Sequence, residues 1–327
     1  MLAWAATALL GCGELPPPQA VTAATAAART APDDSDAWNL VPASAASLVD
    51  LDLAALRASP WARSLVTGGF VEDREERLRT FGYDVFNDVD RLVVAALDVE
   101  GQAQQIVVVV GRLDAARVAR AFMSSTPGAA ETRWRDCRVW ETPGKSVALV
   151  GRALVHGTPT TVRAAIDAAW GIVPDARGGP PGELARALDA DARRPAVTLA
   201  VVVTDEVRAR AEGVAELPRS LRRLAARLDL GADLDLEAQA ILTDAASAQE
   251  AARQWGLELR ELRTNAMLRA MGLGPAVQGI ALRAEGARVH ARLHIGDDKR
   301  EALSERFLFL LQALAAARGQ GAAPPRP

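Results

Sequence analysis

Alternation of apolar and polar residues along the chain predicts half-buried β-strands separated by amphipathic helices. Residues 47–53 alternate strictly, which is typical of a strand with one face in the core. Two further strands are predicted over 89–99 and 104–110, and Gly101 separates them. The second contains an unbroken apolar run, 106–110, so we expect it to be a central strand covered on both faces.

The remaining periodicities complete the predicted element order. In the first half they predict helices over 54–66, 72–81, 114–123 and 158–170, and strands over 133–141 and 146–156. A segment rich in Gly and Pro, 174–181, is the best candidate for a linker. Beyond it the pattern predicts a strand over 196–203, helices over 205–228, a strand over 232–242, a helix over 245–271, a hairpin of 277–284 with 288–295, and a helix over 299–317.

This order predicts an α+β fold with mostly antiparallel sheets covered by helices. Because both halves follow a similar order, we interpret them as two tandem pseudo-repeats of strand-helix-strand-strand-helix type. The run Asp233-Leu234-Asp235-Leu236 also echoes Asp50-Leu51-Asp52-Leu53. The predicted boundaries are a first unit over 38–173, a linker over 174–181, a second unit over 182–317 and a disordered tail over 318–327.

Composition narrows the class of protein. The chain has 327 residues, of which 50% are hydrophobic and 24% charged, as in an ordinary globular protein. The net charge of −3 gives no overall field that attracts nucleic acid, so we expect no nucleic-acid partner. Of the two cysteines, Cys137 is predicted to be a structural thiol on a strand.

The N-terminal segment carries the clearest motif. Residues 2–10 are apolar except Thr7, and they lead directly into Gly11 and Cys12. The stretch is too short to cross a bilayer, which needs ~20 apolar residues. The run Leu9-Leu10-Gly11-Cys12 resembles a bacterial lipobox, which implies that residues 1–12 form a lipoprotein signal with Cys12 as the lipid attachment residue.

The residues after Cys12 favour the same interpretation. Residues 13–37 are rich in Pro, Ala and Thr and have little apolar bulk, so we expect a disordered tether. Gly13 is not the Asp that retains enteric-type lipoproteins at the inner membrane, so the resemblance implies the outer membrane, facing the periplasm. No basic residue precedes the apolar run, and we therefore expect the natural start to lie upstream.

Several residue sets could carry chemistry, and each has a structural alternative. Strand carboxylates could form an acid pair or a polar sheet face, and two histidines on one strand face could bind a metal, although an arginine between them disfavours a cation. The carboxylates are Asp50, Asp52, Asp233, Asp235 and Glu237; the histidines are His290 and His294, with Arg292 between them. No catalytic, cofactor-binding or metal-binding residue is predicted from them.

Three more features are interpreted structurally. A Gly-Lys-Ser run at Lys145 lacks the spacing of a phosphate loop and is predicted to be a hairpin turn. Trp134 and Trp140, an even number of residues apart, could share a surface on one strand. A predicted helix carries a basic face that could lean on lipid head groups but is better explained as solvated. Its residues are Arg219, Arg222, Arg223 and Arg227.

The sequence therefore predicts a non-enzymatic, lipid-anchored protein of the cell envelope with a structural or interaction role and no cofactor. The opening of the body, residues 41–56, resembles that of uncharacterised lipoproteins of GC-rich bacteria, a likeness that implies no activity. Two alternatives remain open. A periplasmic module for a small apolar or lipid ligand requires a large apolar pocket, and a hydrolase requires two acids that converge in one cleft.

Overall fold

One antiparallel sheet organises the protein. The computed structural model describes residues 31–32, 36–61, 74–99, 102–188, 195–205, 207–208, 217–270, 274–300 and 303. Over these residues the fold is α+β, with a 12-stranded sheet. The strands are β1 (Ala45–Asp52), β2 (Val89–Val99), β3 (Gln102–Gly111), β4 (Ala130–Trp134), β5 (Cys137–Glu141), β6 (Ser146–Val150), β7 (Ala153–Gly157), β8 (Val197–Val202), β9 (Leu221–Leu230), β10 (Leu234–Leu242), β11 (Ala281–Glu285) and β12 (Arg288–Ile295).

Helices connect these strands and cover the sheet. Asp114 and Thr158 accept backbone N–H bonds at the starts of the third and fourth helices, as N-cap residues do. The helices are α1 (Leu53–Ala58), α2 (Arg74–Phe81), α3 (Ala115–Ser125), α4 (Pro159–Ala169), α5 (Pro180–Leu188), α6 (Ala245–Thr264), α7 (Ala266–Ala270) and α8 (Gly274–Gln278). None of the helices in the described part of the chain is long and apolar enough to span a bilayer.

The two halves of the chain meet at the centre of the sheet. The strand order is β11-β12-β10-β9-β8-β1-β2-β3-β7-β6-β5-β4, so the first strands of the halves, β1 and β8, pair with each other. In the first half, β1, β2 and β3 are followed by α3 and then by β4 to β7. In the second half, β8, β9 and β10 are followed by α6 to α8 and then by β11 and β12. The last strand of each half, β7 or β12, pairs with the third strand of that half, β3 or β10.

Cores lie on both faces of the sheet. On one, called the α4 face, Leu48 and Val108 pack with Val162 and Ile166 of α4, and all four side chains are fully buried. On the other, called the α3 face, Val118 and Phe122 of α3 pack on neighbouring strands, and α6 packs further along the sheet. The prediction that the third strand is covered on both faces is confirmed by β3, because Val108 and Val109 are both buried.

Two predicted strands are each a β-hairpin. The prediction over 133–141 is wrong because the chain turns at Arg135 and Asp136, where Arg135 adopts φ 50° without a glycine to mark the turn. The prediction over 146–156 bends, as expected, at Gly151-Arg152, but the bend is a complete turn between β6 and β7. Trp134 and Trp140 therefore lie on different strands and belong to cores on opposite faces.

The predicted helix over 205–228 is also wrong in its second part. Residues 221–230 form β9, which pairs with β10 along its whole length and with β8 over 223–228. Leu and Arg favour helices, but hydrogen bonding to a strand on each side outweighs that local preference. The basic face consequently does not exist as a helix face. Arg222 is exposed, whereas Arg223 and Arg227 lie on the α4 face, where they pair with Glu183 and Glu237.

Three further boundaries differ from the predictions. The first helix ends at Ala58 because Pro60 disfavours helical backbone at Ser59. The long helix is interrupted at Asn265, which has extended backbone between α6 and α7. The last hairpin begins at Ala281, since Gly274–Gln278 is helical. The helix predicted over 299–317 lies outside the described residues except for 299, 300 and 303.

The segments on either side of the predicted first unit, which were expected to be tether and linker, are folded. Asp36 and Ala37, assigned to the tether, are buried, and Asp36 caps a short 3-10 turn over 37–40. The predicted linker contains a second 3-10 turn and the start of α5, and Asp175 forms a β-bridge with Pro42. The segment thus packs against the first half. The division of the chain into two units stays a prediction.

Candidate functional site

A buried ion-pair network lies at the centre of the sheet. Arg91 Nε donates to Asp50 Oδ1 at 2.7 Å, and Arg91 Nη1 donates to Asp36 Oδ1 at 2.7 Å. A further bond joins Arg91 Nη2 to Asp50 Oδ2, which also accepts from Trp38 Nε1 at 2.7 Å. Arg177 Nη2 closes the network on Asp36 Oδ2 at 2.6 Å. The network connects the first described turn to β1 and β2.

The strand pattern explains the position of Arg91. In β2 the odd-numbered positions from Arg91 to Leu97 lie on the α4 face, and Arg91 is the single charged residue among them. Asp52 stands directly opposite Arg91 in the neighbouring strand, but its carboxylate caps α1 by accepting from the Ala55 N–H at 2.7 Å. Arg91 therefore reaches diagonally to Asp50, within the span of a long side chain.

The charges within the network stabilise one another. Burial of the Arg91 guanidinium by itself would lower its pKa, but the hydrogen bonds and charges of Asp50 and Asp36 outweigh that effect and raise the pKa. The two Asp50 oxygens accept three N–H bonds, from Arg91 and Trp38. The carboxylate thus acts as a hydrogen-bond acceptor on both of its oxygens. The interpretation of Asp50 as part of a solvated polar face is wrong, because the residue is 6% exposed.

The carboxylates of the second half pair locally. Asp235 Oδ1 lies 2.7 Å from His294 Nδ1, and Asp233 accepts the N–H of Asp297. Glu237 lies between Arg227 at 3.1 Å and Arg292 at 2.7 Å. Three strand spacings of ~4.8 Å separate Asp50 from Glu237, or about 14 Å. That separation exceeds the ~5–9.5 Å between paired glycosidase carboxyls, so the two sets do not converge.

The two strand histidines share the α4 face of β12 as expected. His294 is exposed and bonded to Asp235, whereas Arg292 between the two histidines binds Glu237. Within the described residues, no group of three or more His, Cys, Asp or Glu side chains is placed to hold a metal ion.

We expect His294 and His156 to titrate on opposite sides of the ordinary histidine pKa of about 6.5. The hydrogen bond and charge of Asp235 raise the pKa of His294, whereas burial lowers that of His156. Because the folded-state pKa of His294 is raised, its contribution to stability is fully present below pH ~6.5 and is lost as pH rises through the folded value. Two-dimensional NMR of the imidazole resonances measures both.

Asp235→Asn provides the control for this titration. It should return the pKa of His294 towards 6.5 and leave His156 unchanged, since the two residues lie in different halves of the sheet. A His294 that titrates below His156 in the unmodified protein would contradict the assignment.

Apart from Cys12, the other residues singled out from the sequence lie in β4, in β5 and in the turn that follows β5. Cys137 is buried, and burial raises the pKa of its thiol, which disfavours the reactive thiolate. Lys145 lies in the turn between β5 and β6, as predicted. Trp134 Nε1 donates to Asp167 at 3.1 Å, and Trp140 Nε1 donates to Glu131 at 3.1 Å. Cys12 lies outside the described residues.

The space between the sheet and α4 is filled by side chains. Val155, Val162, Ala165 and Ile166 are fully buried there. A groove of about 290 Å³ opens instead beside α6 and is lined by both polar and apolar residues: Pro218, Ser220, Ala246, Ser247, Glu250, Ala251 and Gln254. Neither region has the character of the large apolar pocket that the ligand-binding alternative requires.

Sequence reasoning missed Arg91 and Asp36. Arg91 could have been noticed as a charge at an inward position of an alternating strand, which demands a buried partner. Asp36 had no such signal, because its neighbours in sequence resemble the tether.

Comparisons with known proteins give a distant likeness. No family model matches the chain, and no curated protein matches it. Three crystal structures of TP0453 are similar in fold. Form III has 11% identity and a TM-score of 0.49 over 83% of this chain and 98% of that one. Forms I and IV have TM-scores of 0.46, with 11% and 10% identity, over 84% and 82% of this chain and 97% and 96% of those chains.

Proposed function

We propose that the protein is a lipid-anchored component of the cell envelope, with Cys12 as the anchor. Its folded body has a structural or interaction role, without catalysis, and the outer membrane holds it on the periplasmic side. The run from Leu9 to Cys12, which resembles a lipobox, supports the proposed anchor.

The fixed position of Asp36 is the observation that favours this arrangement most. Asp36 follows Cys12 by 24 residues, and its carboxylate binds Arg91 and Arg177 at the centre of the sheet. A fully extended chain of this length reaches about 80 Å. The anchor would therefore hold the sheet within that distance of the bilayer. The connecting segment would join the sheet at Asp36, through the ion pairs of its carboxylate.

The composition of the intervening segment supports the same proposal. Residues 13–35 contain the proline run 16–18 and few apolar residues of any bulk. Such a segment separates an anchor from a body without forming a core of its own. The body can then contact partners while it stays at the membrane surface.

Membrane fractionation of a Cys12→Ser variant tests the proposal. Expressed from its natural start in a bacterial host that processes lipoproteins, the unmodified protein should sediment with membranes and resist washing with high salt and carbonate. Cys12→Ser should move to the soluble fraction, because a chain without acyl groups loses ~0.8 kcal/mol for each methylene that it no longer buries.

Cys137→Ser is the matched control. It removes the other cysteine from a buried position and should leave the membrane fraction unchanged. Equal membrane retention of the unmodified and Cys12→Ser proteins would exclude Cys12 as the anchor.

A further inference from the structure

In the described part of the chain, no further strand pairs with the outer edge of β4, which ends the sheet. Within β4, Ala130 to Arg133 are all exposed, whereas Trp134 is half-buried. An uncovered edge offers unpaired backbone N–H and C=O groups to another strand. The chemistry of β4 decides which strand it can accept.

The turn between β4 and β5 fixes which backbone groups face outward. Trp134 and Cys137 flank a two-residue turn, so they form its closing hydrogen-bonded pair. Along a strand, the backbone N–H and C=O groups of successive residues point alternately to the two neighbouring sides. The backbone groups of Glu131 and Arg133 therefore point away from β5. Thr132 lies between them and points inward.

The side chains of β4 are complementary to a second copy of themselves. An antiparallel pairing centred on Thr132 places the outward-facing Glu131 opposite Arg133, and Arg133 opposite Glu131. In the same register the small Ala130 stands opposite the large Trp134. Shifting the register by two residues in either direction would instead place Glu131 opposite Glu131, or Arg133 opposite Arg133.

The isolated chain also leaves Arg133 in an unfavourable position. Arg133 stands directly opposite Arg138 of β5, while Glu131 binds Arg138 through two bonds of 2.8 and 2.9 Å. Like charges in opposite positions destabilise a strand pair. A second copy would place its own carboxylate beside Arg133, which relieves this repulsion.

The opposite edge of the sheet lacks this complementarity. In β11 the same argument directs the backbone groups of Leu282 and Ala284 outward, because Glu285 and Arg288 flank its two-residue turn. Full antiparallel self-pairing would be centred on Arg283 and would set two arginines directly against each other. Charged residues on an edge strand normally prevent it from pairing with another strand, and Arg283 has this effect at β11. At β4, in contrast, the charges of the two copies are of opposite sign and attract each other.

We propose that β4 pairs edge to edge with β4 of a second copy of this chain, related by a two-fold axis at Thr132. Such a contact is self-complementary and closed, so it yields dimers and not filaments. With five residues from each copy it is small, and we expect a weak, concentration-dependent dimer.

Disulfide trapping on the full chain carrying Cys12→Ser tests the register. Thr132→Cys should form a covalent dimer under mild oxidation, since residues in a non-hydrogen-bonded pair have Cα atoms ~4.5 Å apart. Ala130→Cys is the control. Its copies would lie about 14 Å apart along the pair, beyond the ~7 Å that a disulfide can bridge. Cys137 is buried in both variants.

Charge exchange tests the pairing independently. Glu131→Arg and Arg133→Glu, each added to the Thr132→Cys chain, should reduce covalent homodimer about tenfold, because both charge pairs become repulsive. Mixing the two variants should restore trapping as a heterodimer, in which Arg opposes Glu at both positions. Absence of trapping by Thr132→Cys, equal trapping by Ala130→Cys, or failure of the mixture to pair would overturn the proposal.

Discussion

Replacing Arg91 by Met should lower the free energy of unfolding by about 3–5 kcal/mol, because it leaves the Asp50 carboxylate buried without its cation. Asp36 retains Arg177 as a partner, whereas among the described side chains Trp38 alone continues to donate to Asp50. Urea denaturation followed by circular dichroism measures the change as a shift in midpoint at constant slope.

Arg292→Met is the matched control for Arg91→Met. Arg292 also binds a strand carboxylate on the same face of the sheet, but its side chain is 75% exposed and Glu237 retains Arg227. Loss of such a pair costs about 0–1 kcal/mol. If the two variants lose equal stability, the network at the sheet centre does not have the energetic role assigned to it.

A double variant separates the lost pair from lost packing. Arg91→Met combined with Asp50→Asn removes the stranded charge while an amide oxygen can still accept from Trp38. It should therefore be more stable than Arg91→Met alone. If the double variant is less stable than Arg91→Met, the stability lost with Arg91 comes from packing of its side chain and not from the ion pair.

Trp140→Ala should lower the free energy of unfolding by about 3–5 kcal/mol, as expected for a large buried aromatic side chain. Trp140 is 1% exposed and belongs to the core beneath α3. The same denaturation experiment measures the effect.

Trp134→Ala is the control within the same hairpin. Trp134 is half-buried on the opposite face, where it binds Asp167 and lies against Arg163, whose guanidinium carbon is 5.2 Å from the ring centroid. We expect its loss to cost about 1 kcal/mol, since a partly exposed contact of this kind contributes little more. Equal losses would contradict the assignment of the two side chains to opposite faces.

The strands that could be predicted are those whose environment is uniform along their length. In β2, the apolar residues Val93, Ala95 and Leu97 recur at every second position, because that face lies against the core beneath α4. The start of α4 was predictable for a local reason too, since Thr158 caps it and Pro159 occupies its first turn. In both cases the determinants lie within a few residues.

The errors arise where pairing between strands, and not the local preference of the residues, decides the structure. Residues 221–230 have the composition of a helix, but strands on both sides impose extended backbone on them. The turn at Arg135 contains neither Gly nor Pro and depends on pairing between β4 and β5. Local propensity could not have distinguished these outcomes.

The same limit applies to the ion-pair network. Asp50 was recognised as a strand carboxylate, but its partner Arg91 lies 41 residues away and Asp36 lies 55 residues from Arg91. Sequence alternation placed Asp50 and Asp52 on one face correctly. It could not show that one is buried in an ion pair whereas the other caps a helix, because both roles depend on the neighbouring elements.

The intact mass of the mature protein, purified from membranes after expression from its natural start, tests the proposed anchor most directly. We predict a chain that begins at Cys12 and carries the added mass of a diacylglycerol and an N-acyl chain. A mature chain of unmodified mass, or one whose added lipid is attached at another residue, would contradict the account.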